Sequence, residues 1–276
     1  MARRIAIVNS KGGTGKTTTA FTLAAIFAAR GQRVLVIDMD AQAAATQLLV
    51  PSEQMDPVRR RAYLFPTIVE VLLRGQTLMA AVKPSLLDQR IALVPSTLAM
   101  READGLVPFR SPVELRLARA LDGVDERFDV ILIDCPGHLL MGTRLSLCAA
   151  GEFVVPIEPA RQSLFGAGDL LHEVAQVRRR ANPGLRLAGL LVTKMGEAPV
   201  ERRNLAAIRA DAAQQGWRVF GAVIPQSDAV KTAETASLPV TRYLPRNPAS
   251  LAYEAFADEL LGMVYTEGKT AGNTGG

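Results

Sequence analysis

The sequence is poor in the residues that build disulfide or metal frameworks. Across 276 residues there are two cysteines, Cys135 and Cys148, and two histidines, His138 and His172. Two thiols make no cystine scaffold, and no Cys/His spacing completes a zinc site. A small disulfide-stapled domain and a zinc module are therefore excluded, and both cysteines read as ordinary reduced side chains. Long apolar runs are missing as well. Although 49% of the residues are hydrophobic, no uninterrupted stretch approaches the ~20 residues that span a bilayer. Met1-Ala2-Arg3-Arg4 leads directly into an apolar run without a small-residue cleavage site, so a cytoplasmic location is expected. Repeats, low-complexity blocks and long linkers are also absent. One domain over 1–265 is expected, followed by a disordered tail over 266–276, which has no apolar periodicity. Charge bias is weak: a net +5 permits contact with nucleic acid or an anionic membrane and requires neither.

What is present begins with Ser10-Lys11-Gly12-Gly13-Thr14-Gly15-Lys16-Thr17-Thr18. The β-prone run Ile5-Ala6-Ile7-Val8 precedes it, and Ala20, Leu23, Ala24 and Phe27 follow at helical spacing, predicting one apolar face. Strand, Gly-rich turn and helix start come in the order of a phosphate-binding loop. The glycines let consecutive N–H groups turn inward toward phosphate oxygens, and the helix N-terminus adds partial positive charge. Lys16 is then expected at the β- and γ-phosphates and the Thr17 hydroxyl on Mg²⁺. The bland alternative is a flexible turn with two solvated lysines.

Further on, Val34-Leu35-Val36-Ile37 is too uniformly apolar for a half-exposed strand and reads as a central parallel one. It ends in Asp38-Met39-Asp40-Ala41-Gln42, at the edge where open α/β sheets place ligands. These aspartates are either ligands of the site or turn formers. The stretch 51–66 holds three prolines and Arg59-Arg60-Arg61, and reads as a surface loop whose arginines are solvated or form an anion-binding face. Thr67 is expected to cap a helix through Leu73, with a strand over 90–96 and a helix over 112–121. Asp129-Val130-Ile131-Leu132-Ile133-Asp134 repeats the apolar run that ends in a carboxylate, placing Asp134 in the Mg²⁺ shell. Asp134 to Gly137 fits D-x-x-G, in which a glycine N–H can sense a γ-phosphate, or Gly137 only permits the turn. Further strands are expected at 152–157, 187–192 and 219–224, with helices between them, one over 164–180. This alternation predicts a single doubly wound α/β domain, its mostly parallel sheet of about seven or eight strands covered by helices on both faces.

Thr193-Lys194-Met195-Gly196 nearly spells the guanine-reading [NT]-K-x-D, but glycine replaces the aspartate, so adenine is favoured. That segment and Pro225 are the candidates for the base end of the site.

Lys11 beside the loop, Asp38-x-Asp40-x-Gln42, Ile133-Asp134-Cys135-Pro136, and the C-terminal run 233–245 with Ala252-Tyr253 carry a resemblance to ParA-type partition ATPases. It spans residue 3 to about 263. The resemblance implies a P-loop ATPase using ATP and Mg²⁺, with the deviant Walker A loop of the ParA/MinD superfamily. In that family the extra lysine, here Lys11, reaches the nucleotide of a facing subunit, and the second aspartate, here Asp40, positions the attacking water, with Asp38 nearer the metal shell. It also implies an ATP-bound homodimer that coats DNA nonspecifically on the nucleoid and is released when a ParB-like partner stimulates hydrolysis. Arg202, Arg203, Lys231 (expected in a loop after the last strand), Arg242 and Arg246 are the candidate DNA contacts. An N-terminal helix-turn-helix, found in the larger plasmid type, is not expected. Two alternatives remain: an orphan ParA-like protein positioning a protein cargo, and a MinD-like membrane switch. The second needs a C-terminal basic amphipathic helix, which 266–276 do not offer, so no stable membrane association is expected.

Overall fold

The computed structural model describes residues 1–104, 113–160 and 163–262, with 104 and 163–167 described by backbone alone. The expected tail lies outside the described residues, as does Pro112.

Eight strands form one sheet: β1 (Arg3–Ile7), β2 (Val34–Asp38), β3 (Lys83–Pro84), β4 (Ile91–Val94), β5 (Val130–Asp134), β6 (Glu152–Ile157), β7 (Arg186–Met195) and β8 (Val219–Pro225). Their order is β3-β4-β2-β5-β1-β6-β7-β8. All pairs are parallel except β3 with β4, a two-residue antiparallel edge. The short edge carries Pro84, which cannot extend a ladder of hydrogen bonds.

Every residue of β2, β5 and β6 is buried, which is why these strands read as continuous apolar runs. Alternate side chains serve opposite faces. Val34, Val36, Val130 and Leu132 belong to one core, and Leu35, Ile37, Ile131 and Ile133 to the other. Strand order reverses at β1, between β5 and β6, so the loop after β1 opens into the crevice where such sheets bind ligands.

Three local expectations change. Helix Lys16–Ala29 is buried on nearly all sides instead of one face, because helix Pro248–Leu261 covers its outer surface; the hydroxyls of Thr19 and Tyr253 meet there at 3.4 Å. The supposed surface loop contains helix Pro57–Leu64. Asp56 caps it by accepting from the N–H groups of Val58 and Arg59 at 3.1 and 3.0 Å, and Pro57 takes its first position. The Arg run is accordingly not uniform. Arg59 and Arg61 are exposed, whereas Arg60 donates through Nε to the Val50 carbonyl at 3.0 Å. Thr67 does cap helix Ile68–Arg74, in a reciprocal box with Glu70. The helix expected over 112–121 splits into a 3₁₀ turn, Val113–Leu115, and helix Arg116–Ala120.

Candidate functional site

The phosphate loop owes its shape to residues on three strands. Gly13 and Gly15 adopt left-handed φ angles of 78° and 83°, which side chains with a Cβ rarely accept. Asn9, buried at the end of β1, donates to the Pro156 carbonyl at 2.6 Å and accepts from the Lys11 N–H at 3.0 Å, fixing the entrance. Thr193, at the end of β7, donates to the carbonyls of Thr14 (2.9 Å) and Ile157 (3.2 Å), bracing the loop from behind. The Thr18 hydroxyl is hydrogen-bonded to Glu234. Gly137 presses on the loop from the other side: a Cβ there would stand 3.1 Å from the Gly12 Cα. The turn after β5 therefore requires glycine for close approach, and Gly137 faces the space beside Lys16.

Charge is concentrated in this small volume. Lys16 is buried, its Nζ donating to the Lys11 carbonyl at 3.0 Å. Burial lowers its pKa, opposed by the charges of Asp134, Cys135 and Asp40. Asp38 and Asp134 are register partners on β2 and β5, both fully buried. Asp38 is saturated. Its carboxylate accepts from the Asp40 N–H (3.0 Å), the Thr46 N–H (2.8 Å) and the Thr46 hydroxyl (2.7 Å). Burial still pushes its pKa up to about 6, against the pull of those hydrogen bonds. Asp134 is the opposite case. Neither of its oxygens has a hydrogen bond of normal geometry. Burial and then the charge of Asp38 raise its pKa well above the ordinary value, opposed by the nearby Thr17 hydroxyl and Lys16.

A buried carboxylate without donors, beside the hydroxyl of Thr17, which itself lines the cavity, is suited to a hard cation. Among the described residues no cluster of three His, Cys, Asp or Glu could hold a metal by itself. That suits Mg²⁺, which keeps waters and takes phosphate oxygens in place of an all-protein cage. Asp134 and Thr17 are the residues that fit it; Asp38, expected nearer the metal shell, does not, because both its oxygens are already engaged by Asp40 and Thr46. Asp38 stabilises the turn through Asp40 and the start of helix Ala44–Leu49, and so acts by placing Asp40, which lines the cavity.

The cavity measures about 620 Å³ and runs from the phosphate loop, including Gly12, Gly13, Gly15, Lys16, Thr17 and Thr18, to Ile224, Pro225 and Gln226 at the C-terminal end of β8. Lys11 is exposed at its rim, 3.6 Å from the Glu158 carboxylate. Lys194, in a left-handed conformation (φ 53°), approaches the other oxygen of Glu158 at 3.2 Å. Glu158, Asn9 and Thr46 carry no motif and were not foreseen from the sequence. Their roles arise from strand ends that meet only in the fold.

The basic candidates scatter. Arg202 and Arg203 are exposed near the start of helix Pro199–Gln214. Lys231 lies on helix Asp228–Thr235, not in a loop; Asp228 in its first turn complements the helix dipole, and its carboxylate is 3.8 Å from Lys231 Nζ. Arg242 is engaged within the molecule, by an ion pair with Asp88 and a 3.0 Å bond to the Leu87 carbonyl. Arg246 is exposed. Among the described residues no helix is long and apolar enough to cross a membrane.

A doubly wound sheet whose first loop is Gly-rich and opens a helix, with a buried lysine and a buried carboxylate beside it, has the architecture of a P-loop nucleotide-binding protein. Comparison with known proteins refines this. A family model described as an AAA domain matches residues 2–187. The chromosome-partitioning ATPase Soj of Thermus thermophilus is 35% identical over 269 residues, covering 95% of this chain and 96% of that one. The sporulation initiation inhibitor protein Soj of Bacillus subtilis is 31% identical, covering 94% and 98%. Among solved structures, a cobyrinic acid a,c-diamide synthase of Mycobacterium smegmatis with bound ATP analogue and magnesium is 29% identical, with a TM-score of 0.77 and coverage of 99% and 100%. The chain belongs to the Soj/ParA family of ATPases, within the ParA/MinD superfamily.

Proposed function

We propose that this chain binds Mg-ATP, closes into a homodimer around two nucleotides, binds DNA without sequence preference, and releases it on hydrolysis stimulated by a ParB-like partner. The observation that carries the reading is the pair of lysines on one loop. Lys16 is buried among carboxylates inside the cavity, whereas Lys11 is exposed at the rim and held by Glu158. A lysine at that rim can exchange Glu158 for a γ-phosphate across an interface, its positive charge stabilising both the closed dimer and the transition state. Asp134 and Thr17 would hold Mg²⁺, which would supply neutralisation of the charge building on the phosphates. Asp40 positions the attacking water, and the Gly137 N–H reports the γ-phosphate. Asp40→Ala should bind ATP and dimerise yet lose turnover by about a hundred-fold, as expected when only the in-line water is lost. Single-turnover hydrolysis beside a nucleotide-binding assay checks it.

For DNA, Arg202, Arg203, Lys231 and Arg246 are the exposed candidates, and Arg242 contributes less because Asp88 already engages it. Closing a dimer would double the patch, making DNA binding ATP-dependent through avidity. The experiment is retention of unrelated DNA fragments with ATP, with ADP and at rising salt. Affinity should appear with ATP and fall steeply with salt as counterions are released. Retention indifferent to nucleotide, or unchanged in Arg202→Glu with Lys231→Glu, favours the protein-cargo or membrane alternative.

A further inference from the structure

The base end of the cavity holds a carboxylate that the motif lacks. Gly196 stands where the guanine-reading pattern has aspartate, and the rest of that pattern is in place. Thr193 braces the phosphate loop, and Lys194 Nζ lies 3.9 Å from where a Cβ on Gly13 would be. A Cβ on Gly196 would stand 2.2 Å from Oε2 of Glu201. Glu201, in the first turn of helix Pro199–Gln214, thus packs its carboxylate against Gly196, on the spot any Cβ there would take. Its Oε2 is buried and has no hydrogen-bond partner, yet the residue lines the nucleotide cavity together with Ile224 and Pro225. A buried acceptor left without a donor is costly, and a ligand that brings an N–H removes that cost.

We propose that Glu201 reads the base, its buried oxygen accepting an N–H from the 6-amino group of adenine. The inference rests on the reading of this cavity as an ATP site and names the residue that makes it selective. A carboxylate only accepts. Adenine offers it a donor at position 6, where guanine carries a carbonyl oxygen that would repel it.

The test uses the full chain and the Mg²⁺ salts of three triphosphates: ATP, GTP and purine riboside triphosphate, which lacks the 6-amino group. The parent should prefer ATP over the purine analogue by about ten-fold or more, the effect of a hydrogen bond to a charged acceptor. In Glu201→Ala that ratio should shrink to about two-fold or less through loss of ATP affinity, with the analogue bound as before. Gly196→Ala should do the same, because its Cβ displaces the carboxylate while leaving Glu201 in the chain; Gly196 has no positive φ to strain. An unchanged ratio in both variants would overturn the proposal. So would a parent that binds GTP ten-fold more tightly than ATP, since the carboxylate would then face the guanine edge. A parent that binds none of the three overturns the ATP-site reading itself.

Discussion

The two ends of the cavity are built on different plans. At the phosphate end, nine consecutive residues from Ser10 to Thr18 supply the loop, and β1, β5 and β6 hold it rigidly. At the base end, Glu201 comes from a helix and Ile224 and Pro225 from β8, with no shared motif. The phosphate end must bind something common to all nucleoside triphosphates, so one contiguous solution serves. The base end must discriminate, and its side chains are assembled from separate segments that can vary independently. A change at the phosphate end should therefore abolish binding, while a change at the base end should redirect it.

The largest expected effect breaks the phosphate end outright. Lys16→Ala removes the buried ammonium and should reduce Mg-ATP affinity by about a hundred-fold or more, since a charged hydrogen bond in a desolvated site is lost. Isothermal titration calorimetry reads this, and it should be equally damaging to GTP and to purine analogues. Glu201→Ala should not be.

Within the phosphate end, Asp38 and Asp134 sharpen the contrast between a residue that builds a site and one that works in it. Asp38→Asn puts amide donors against the Thr46 or Asp40 N–H groups and should destabilise the fold by about 2 kcal/mol. Asp134→Asn replaces a carboxylate that nothing satisfies, and should stabilise the nucleotide-free protein by about 1 kcal/mol while abolishing Mg²⁺-dependent turnover. Both aspartates have folded pKa values above their unfolded ones, so between those values the folded state binds more protons than the unfolded state. Their contribution is therefore fully favourable below the unfolded value of about 4 and is lost as pH rises through the folded value. For Asp38 that loss is complete near pH 6, and Asp134 extends it upward. Urea unfolding of the nucleotide-free protein at several pH values should give a shallower pH slope for Asp134→Asn than for the parent.

A smaller effect tests the contact between the turn after β5 and the loop. Gly137→Ala introduces a Cβ 3.1 Å from the Gly12 Cα, a backbone atom that cannot swing aside. Mg-ATP affinity should fall by about ten-fold, the size of 1 to 2 kcal/mol of overpacking strain. Thermal stability should drop only slightly.

The same asymmetry explains how much could be read beforehand. The phosphate loop and the strand ending in Asp134 were legible because their residues are contiguous and their strands are buried on both faces. Helix Pro57–Leu64 was misread because its prolines and arginines suggested a loop, although Asp56-Pro57 is a cap followed by a first-position proline. The apolar face assigned to helix Lys16–Ala29 widened because a helix more than 200 residues away covers its outside. Glu158 and Asn9 left no signal in the sequence, since what gives each a role is a partner from another segment, Lys11 and Lys194 for Glu158 and the Pro156 carbonyl for Asn9.

The central claim is that the second lysine of the loop acts between subunits. Analytical ultracentrifugation of the parent and of Lys11→Ala, each with ATP and with ADP, tests it directly. The parent should sediment as a dimer with ATP and a monomer with ADP, and Lys11→Ala should remain a monomer with both while still binding ATP. An ATP-dependent dimer of Lys11→Ala indistinguishable from the parent's would contradict the account.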